Sequence, residues 1–314
     1  MGVNQRIGRP LGGAAAIDLK TRPMMDFVAL TKPRITWLIL MSTGIGFFFG
    51  LQDRTGTGAW TWAELLTFVY TVIGTGLIAS GTAALNQWFE RDADSKMRRT
   101  ENRPLPAKKL TPRAALWFGI GLASAGFAGL AIFVNLLSGL LGFLTLAAYL
   151  FVYTPLKQRT ALCTVAGALP GAVPPLIGFA AASGYLSVQA WALFAILFLW
   201  QFPHFLAIAW MYREDYARAG ILMLPVVEPD GHSTSRQIVA YASTLIPVSL
   251  LPTLLGMTGR FYLVGALILG GWFLYSGFRV AFNRTIVNAR KVLLVSVIYL
   301  PLMYGLMILD HTRL

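Results

Sequence analysis

This chain consists of long hydrophobic runs separated by polar segments, and each run is about as long as a membrane-spanning helix. Apolar runs of about 20 residues, the length of helix that spans ~30 Å of hydrocarbon, occupy residues 35–51, 63–86, 114–135, 137–154, 161–181, 189–211, 237–257, 261–281 and 290–309. The polar segments between them are short, except around 87–113 and 212–236. The pattern predicts an all-α integral membrane protein with nine transmembrane helices.

The composition agrees with a membrane protein. Hydrophobic residues make up 56% of the 314 residues and charged residues only 12%, whereas about one quarter of an ordinary soluble domain is charged. We expect residues 27–314 to form a single nine-helix transmembrane domain. Residues 1–26 contain four basic residues among glycines and alanines, and we expect a basic, poorly ordered cytoplasmic segment there.

The basic residues predict the orientation of the helices. One side of the predicted bundle, with the N-terminal segment, holds 23 of the 26 Lys and Arg residues, and the other side holds only Arg54, Arg260 and Arg313. Because Lys and Arg accumulate on cytoplasmic loops, we expect the N-terminus inside and the C-terminus outside. The net charge of +13 then reflects topology and contact with the anionic lipid bilayer. No nucleic-acid partner is expected.

Three polar side chains stand at four-residue intervals where the second apolar run ends. On a helix, Asn86, Glu90 and Asp94 share one face, whereas Asp92 lies about 240° around the axis from Asn86 and faces elsewhere. Carboxylate and amide oxygens are ligands that Mg²⁺ takes together with water and phosphate. A hydrated helix end with ordinary charges is the alternative interpretation.

Basic residues near this motif are candidates for binding a polyanion, because guanidinium and ammonium groups pair with phosphate oxygens. Each of them is also explained by the excess of basic residues on cytoplasmic loops, or by the preference of cations for a helix C-terminus. The candidate set is Arg34, Lys96, Arg99, Arg103, Lys157 and Arg159.

A second polar segment follows the sixth apolar run and includes Asp215. The two acidic helix ends are four helices apart, which suggests two related four-helix halves plus a ninth helix, and such repeats often hold the ligand between them.

His204 is the only ionisable side chain deep within an apolar run. It precedes Asp215 by 11 residues, so the two share a face if the helix stays regular. A structural hydrogen bond between helices explains His204 equally well.

The fifth apolar run contains three prolines and several glycines. Prolines remove backbone donors and small residues allow close helix approach, so we expect an irregular helix that lines a cavity. Ordinary close helix packing is the alternative explanation for the glycines.

These motifs together resemble the UbiA-type intramembrane prenyltransferases, whose fold also has nine helices. The segment Asn86-x3-Glu90-x3-Asp94 resembles the first acidic motif of that family. Several further segments resemble one branch, the protohaem IX farnesyltransferases or haem O synthases: Thr31-Lys-Pro-Arg34, Tyr153-Thr-Pro-Leu-Lys157, Trp200-Gln-x-Pro-His204-Phe and Arg213-Glu-Asp-Tyr-Ala-Arg-Ala-Gly220. The resemblance covers about residues 27–310.

The resemblance implies transfer of a farnesyl group from farnesyl diphosphate to a vinyl group of haem B, with addition of water, to give haem O and diphosphate. Haem B is then a substrate, and Mg²⁺ is the implied cofactor. The implied catalytic residues are Tyr212 and the four metal ligands Asn86, Glu90, Asp94 and Asp215. Asp215 is flanked by tyrosines where aromatic-acid prenyltransferases have more aspartates, so a second metal ion is less expected.

The resemblance also implies that His204 binds haem, with placement of the final water as an open alternative. A downstream haem A synthase or terminal oxidase assembly is the implied partner. The implied location is a bacterial inner membrane. A mitochondrial inner membrane is less favoured because Asp18 and Asp26 are unusual in a transit peptide.

Three other functions fit parts of the pattern. A related prenyltransferase acting on an aromatic quinone precursor would share the acidic motif. A cation-coupled transporter would also bury acids and a histidine in a helix bundle, although here all of them but His204 cluster at helix ends. A haem-handling protein without catalysis would have no use for the spacing of Asn86, Glu90 and Asp94.

Overall fold

The computed structural model describes residues 23–56 and 59–311, so the predicted N-terminal segment up to residue 22 and Arg313 lie outside it. Within these ranges, nine helices are long and apolar enough to cross a membrane. They are α1 (Pro33–Thr55), α2 (Trp62–Asp94), α3 (Pro112–Phe133), α4 (Leu136–Leu156), α5 (Cys163–Ser183), α6 (Val188–Met211), α7 (His232–Leu254), α8 (Arg260–Phe282) and α9 (Ile286–Leu309). The predicted helix number is confirmed, while the orientation of the termini stays a prediction.

Helix α2 continues further than its apolar run. Thr61 caps its start by accepting a hydrogen bond from the backbone N–H of Glu64, which satisfies one of the free donors of the first turn. The helix then runs without interruption to Asp94. Asn86, Glu90 and Asp94 therefore occupy the last turns of one continuous helix.

Helix α5 is broken in the middle, as its prolines predict. It consists of two helical segments, Cys163–Gly171 and Pro174–Ser183, with Pro174 in the first turn of the second segment. The second segment packs closely on α1, since a Cβ added to Gly178 would lie 1.8 Å from the carbonyl oxygen of Thr43. The predicted close contact and the predicted irregularity occur together.

Helix α4 contains an irregularity that its apolar pattern does not predict. The segment Ala148–Tyr153, near its C-terminal end, is a π-helix, a form that is frequent at functional sites. The rings of Tyr149 and Tyr153 on this turn are in contact in a tilted arrangement, with centroids 5.0 Å apart and planes 60° apart. This turn leads directly into Lys157, which follows the end of the helix.

Two polar connections lie against each other at the end of the bundle where α2 and α6 terminate. The connection after α6 contains short helices at Arg213–Arg218 and Leu224–Val227. Arg218 Nε donates to the carbonyl oxygen of Lys96 in the connection after α2. Helix α9 packs on α6 and α8, so α6 belongs to both the wall of this end and the centre of the bundle.

Candidate active site

A cavity of about 410 Å³ lies among α1, α2, α4, α5, α6 and α9. Its polar end contains Asn86, Glu90 and Asp94 of α2. Further along α2, the wall changes to small and apolar side chains, with Ala83, Ala79 and Ile78 facing the same space. The cavity therefore has a charged mouth and a mainly apolar interior.

The predicted face of α2 is confirmed, because all three polar side chains at four-residue intervals line this cavity. Asp94 is almost fully buried, with 1% of its side chain exposed, whereas the side chain of Asp92 is 86% exposed. The nearest cation to Asp92 is Arg91, with 3.9 Å between Nε and Oδ1. Asp92 faces away from the cavity, as its helical position predicts.

Each of the three polar side chains on α2 pairs with a basic residue from a different segment. The Lys32 ammonium donates to Asn86 Oδ1 at 3.0 Å, and the Lys157 ammonium donates to Glu90 Oε1 at 2.7 Å. Arg103 Nη1 donates to Asp94, with 2.7 Å to Oδ2. Charge-assisted bonds of this kind are the strong ones. They join α2 to the segments before α1, after α2 and after α4.

Lys32 is a site residue that sequence reasoning missed. It has a left-handed backbone with φ 48°, a conformation that costs about 1–2 kcal/mol for a residue with a Cβ. Burial, followed by repulsion from Arg103, lowers the pKa of its ammonium to about 7. The motif Thr31-Lys-Pro-Arg34 indicates this segment, but the predicted candidate within it is Arg34. Arg34 is exposed and does not line the cavity.

The structure brings together only half of the predicted polyanion-binding set. Arg99, Arg103 and Lys157 line the cavity. Lys96 and Arg159 are exposed and, like Arg34, do not line it. With Lys32, the cavity has four basic residues against two carboxylates, an excess of two positive charges when the Lys32 side chain is protonated. Such an excess suits a polyanionic ligand.

Asp215 is buried between the two polar connections and does not line the cavity. Its Oδ2 accepts from the backbone N–H of Arg99 at 3.2 Å, and its Oδ1 pairs with Arg218. The Arg99 guanidinium lies over the Tyr212 ring, 5.0 Å from its centroid. Asp215 and Tyr212 thus hold the two connections together, and their assignments as metal ligand and catalytic residue stay predictions.

The condition for His204 and Asp215 to share a helix face is not met. Helix α6 ends at Met211, and a separate helix begins at Arg213. Tyr212 between them has φ −112° and ψ 22°, outside the helical values. His204 lines the cavity, whereas Asp215 turns toward the connection after α2.

His204 is held at the cavity wall by α6 and α9. Its Nδ1 lies 2.8 Å from Ser296 Oγ on α9. Its ring is stacked on Trp200, with centroids 4.8 Å apart and planes 24° apart. The Trp200 indole N–H donates to the Ser296 carbonyl oxygen at 2.8 Å. Both the predicted interhelical hydrogen bond and the access to the cavity are therefore present.

The oxygen donors at the mouth are of the kind that Mg²⁺ prefers. Glu90 and Asp94 supply carboxylates and Asn86 an amide oxygen to one cavity. No group of three or more His, Cys, Asp or Glu side chains in residues 23–56 and 59–311 is arranged to hold a metal ion alone. Mg²⁺ usually binds through one or two carboxylates with water and substrate phosphates filling the other positions. The donor set therefore fits a metal that arrives with a phosphate ligand.

A sequence profile of the UbiA prenyltransferase family matches residues 39–300. The chain belongs to this family. Among its relatives, a protoheme IX farnesyltransferase of Solibacter usitatus (strain Ellin6076) is 64% identical over 297 residues, which are 93% of this chain and 100% of the relative. A protoheme IX farnesyltransferase of Koribacter versatilis (strain Ellin345) is 42% identical over 318 residues and 99% of each chain.

Solved structures of UbiA-family proteins share the fold at low sequence identity. A structure of digeranylgeranylglyceryl phosphate synthase matches with a TM-score of 0.72 and 17% identity, over 91% of this chain and 98% of that one. A UbiA homologue of Archaeoglobus fulgidus bound to GPP and Mg²⁺ matches with a TM-score of 0.61 and 14% identity, over 90% and 99%. This UbiA-family chain is an integral membrane prenyltransferase. Its family membership favours an enzyme over the alternatives of a transporter or a non-catalytic haem-handling protein.

Proposed function

We propose that this prenyltransferase transfers a farnesyl group from farnesyl diphosphate to a vinyl group of haem B and adds water, forming haem O and diphosphate. The observation that carries the proposal is the 64% identity to a protoheme IX farnesyltransferase over the whole length of that relative. The cavity supports the proposal independently, because it has a charged end and an apolar end, as a prenyl diphosphate has a charged group and an apolar chain.

The charged mouth suits the diphosphate group. Lys32, Arg103 and Lys157 come from three segments and converge on α2 with their donors. The apolar interior suits the farnesyl chain, because side chains such as Ile78, Ile177 and Leu197 line it. Burial of a prenyl chain against such walls is favourable by about 25 cal/mol for each Å² removed from water.

In the proposed reaction the C1–O bond of farnesyl diphosphate breaks, and its electron pair leaves with diphosphate. The π electrons of the haem vinyl group form the new bond to C1. The cation left next to the porphyrin is captured by water, which then loses a proton. Lys32, Arg103 and Lys157 stabilise the charge that develops on the departing oxygen.

Aromatic rings lie beside the charged mouth. The Lys157 ammonium is 4.2 Å from the Tyr153 ring centroid and 6.0 Å from that of Tyr149. Because both tyrosines line the cavity, their rings also suit the allylic cation that forms once diphosphate leaves, since a ring face attracts positive charge. The same surroundings restrict water near C1.

Asn86, Glu90 and Asp94 are the residues that we assign to Mg²⁺, with Asp215 as a predicted fourth ligand and Tyr212 as a predicted catalytic neighbour. Mg²⁺, when bound, would supply charge neutralisation for the leaving diphosphate. The three cations now paired with the α2 side chains would then transfer their hydrogen bonds to phosphate oxygens. A UbiA homologue with both GPP and Mg²⁺ bound supports the use of Mg²⁺.

The reaction is proposed to occur at the cytoplasmic face of a bacterial inner membrane, since the mouth lies among the basic loops and the relatives named above are bacterial. The product would pass to an enzyme or assembly that takes up a farnesylated haem, such as a haem A synthase or a terminal oxidase assembly.

Mass spectrometry tests the proposed function. Purified protein in detergent with haem B, farnesyl diphosphate and Mg²⁺ should yield a haem heavier by one farnesyl group and one hydroxyl group. Glu90→Gln should reduce the yield about 100-fold or more, because it removes a carboxylate that we assign to Mg²⁺, and Asp92→Asn is the matched control. No such product in several detergents, with haem in either oxidation state, would contradict the proposal.

The main alternative is a family member that prenylates an aromatic quinone precursor. The same assay with 4-hydroxybenzoate in place of haem B separates the two acceptors. A prenylated aromatic acid in the absence of any haem product would establish the alternative.

A further inference from the structure

The hydrogen bonds around Ser296 determine which nitrogen of His204 carries its proton. Ser296 Oγ lies 2.6 Å from the carbonyl oxygen of Leu293, which can only accept a hydrogen bond. The single hydroxyl proton of Ser296 is therefore donated to Leu293. The contact of 2.8 Å between Ser296 Oγ and His204 Nδ1 must then be a bond donated by Nδ1–H.

The other ring nitrogen of His204, Nε2, carries no proton and can donate its lone pair. None of the ion pairs among the described residues includes His204, and an unpaired charge within a membrane-spanning helix is costly. The ring is therefore neutral, with its proton on Nδ1. Nε2 has no hydrogen-bond partner in residues 23–56 and 59–311, and His204 lines the cavity.

Ser296 fixes the tautomer of His204, and Trp200 fixes the plane of its imidazole ring. The two rings are stacked, and the Trp200 N–H is donated to the backbone carbonyl of Ser296. Ser296 thus receives one hydrogen bond from each of the two α6 side chains. This arrangement prevents His204 from rotating away from the cavity without breaking contacts on α9.

We propose that Ser296 is a positioning residue for the acceptor substrate, holding His204 so that Nε2 ligates the iron of haem B. The inference rests on the proposed function and adds the atom that binds haem. A neutral imidazole that donates its other N–H is the usual arrangement of a metal-binding histidine, and haem iron accepts such a ligand.

The surrounding wall favours iron over a water molecule at Nε2. A buried water needs two or more polar partners. The Trp200 N–H is already donated to Ser296, and the Gln201 amide N–H groups are donated to the carbonyl oxygens of Ala168 and Leu197. Phe205 and Leu300, which also line the cavity, have no polar side-chain atoms. Flat aromatic and aliphatic walls instead suit the faces of a porphyrin.

Haem titration and resonance Raman spectroscopy of the full-length protein in detergent test the inference. Wild type with ferrous haem B should show an iron–histidine stretching band. His204→Ala should lose that band and bind haem at least tenfold more weakly, and added imidazole should restore ligation. Ser296→Ala should lower the stretching frequency and weaken haem binding about tenfold, because Nδ1–H loses its acceptor. Ser296→Thr keeps a hydroxyl and should restore both.

The matched control is Ser249→Ala. Ser249 is also a buried serine in an interhelical hydrogen bond to α9, with 2.8 Å between its Oγ and the Tyr299 hydroxyl, but it does not line the cavity. If Ser296 only holds helices together, both alanine variants should behave alike. If it positions His204, only Ser296→Ala should shift the iron–histidine band.

The outcomes separate the inference from the proposed function. Haem O formation by wild type, combined with an unchanged haem spectrum and affinity in His204→Ala, would overturn the inference and leave the function intact. An unchanged spectrum together with a product that lacks the hydroxyl group would assign His204 to water instead, and would also overturn it. An iron–histidine band in wild type without any haem O formation would support ligation and overturn the function.

Discussion

At the scale of single residues, the charged mouth of the cavity consists of basic side chains paired with polar side chains of α2. A ligand can replace either partner in such a pair. The Lys157–Glu90 pair is largely buried, with 13% of each side chain exposed. Replacing both members of a buried pair can be nearly neutral, but removing one leaves an uncompensated charge. A diphosphate with Mg²⁺ supplies a new partner to both members at once, so binding need not leave either charge unpaired.

Asp94→Asn is the sharpest test of the acidic motif. We expect turnover to fall about 100-fold, because the variant removes a carboxylate from the mouth and weakens the bond to Arg103. The amide still offers an acceptor to Arg103, so the protein should remain folded. Product yield and the thermal unfolding midpoint measure the two effects. Asp92→Asn, two residues away and exposed, should change neither, and equal turnover in both variants would refute the metal assignment.

Lys157→Gln tests whether the cavity defines the diphosphate site. Loss of a hydrogen bond between charged groups should raise the KM for farnesyl diphosphate about tenfold or more. Arg159→Gln removes the same charge from an exposed position beside it. We expect its KM to remain close to that of wild type, measured with haem B at a fixed concentration. A similar increase in both variants would show that Arg159 also binds the substrate, as the sequence alone predicted.

The sequence predicts some of these residues and not others for a physical reason. The face shared by Asn86, Glu90 and Asp94 depends only on the geometry of one helix, so spacing is sufficient. The choice between Lys32 and Arg34 depends on the left-handed backbone at Lys32 and on the position of α2. Neither is encoded in local periodicity.

At the scale of elements, close packing of α1 on α5 builds one wall of the cavity. The tight contact between Gly178 and Thr43 allows the two backbones to approach, and the break between the two α5 segments places Pro170, Gly171 and Pro174 along the lining. The prolines and glycines of the sequence predict this irregularity. The π-helical turn of α4 is not predicted, because its residues are apolar and periodic like those of an α-helix.

Gly178→Ala tests the contact between α1 and α5. The added Cβ would lie 1.8 Å from a backbone oxygen of α1, so the helices must separate. Overpacking typically costs about 1–3 kcal/mol, and a contact with backbone cannot be relieved by a side-chain rotation. We expect a lower thermal unfolding midpoint and reduced turnover. Gly129→Ala in α3, where nothing lies within 4 Å of the added Cβ, is the control and should not be destabilised.

At the scale of the whole molecule, the helix number follows from the apolar runs, whereas the contact between distant polar segments does not. Asp215 is drawn to the backbone of Arg99, 116 residues earlier in the chain. The sequence predicts that the two acidic helix ends lie on one side of the membrane. It does not predict the break at Tyr212 that turns Asp215 away from the cavity.

The orientation can be tested by thiol labelling in intact cells. The native Cys163 is fully buried, so wild type should react little with a membrane-impermeant maleimide. Arg260→Cys should be labelled from outside, because Arg260 is the exposed first residue of α8 on the side poor in basic residues. Lys109→Cys, on the connection after α2, should be labelled only after the membrane is permeabilised. The reverse pattern would place the N-terminus outside.

The excess positive charge at the mouth has a consequence for the end of the catalytic cycle. Free diphosphate carries more negative charge than the farnesyl ester from which it is released, so cations that assist its departure from carbon also hold it afterward. Product release is then expected to limit turnover, and added inorganic diphosphate should inhibit competitively with farnesyl diphosphate. Raising the salt concentration should relieve this inhibition, because screening weakens attraction between partly exposed charges. A charge balance that suits bond cleavage thereby sets the rate at which the site empties.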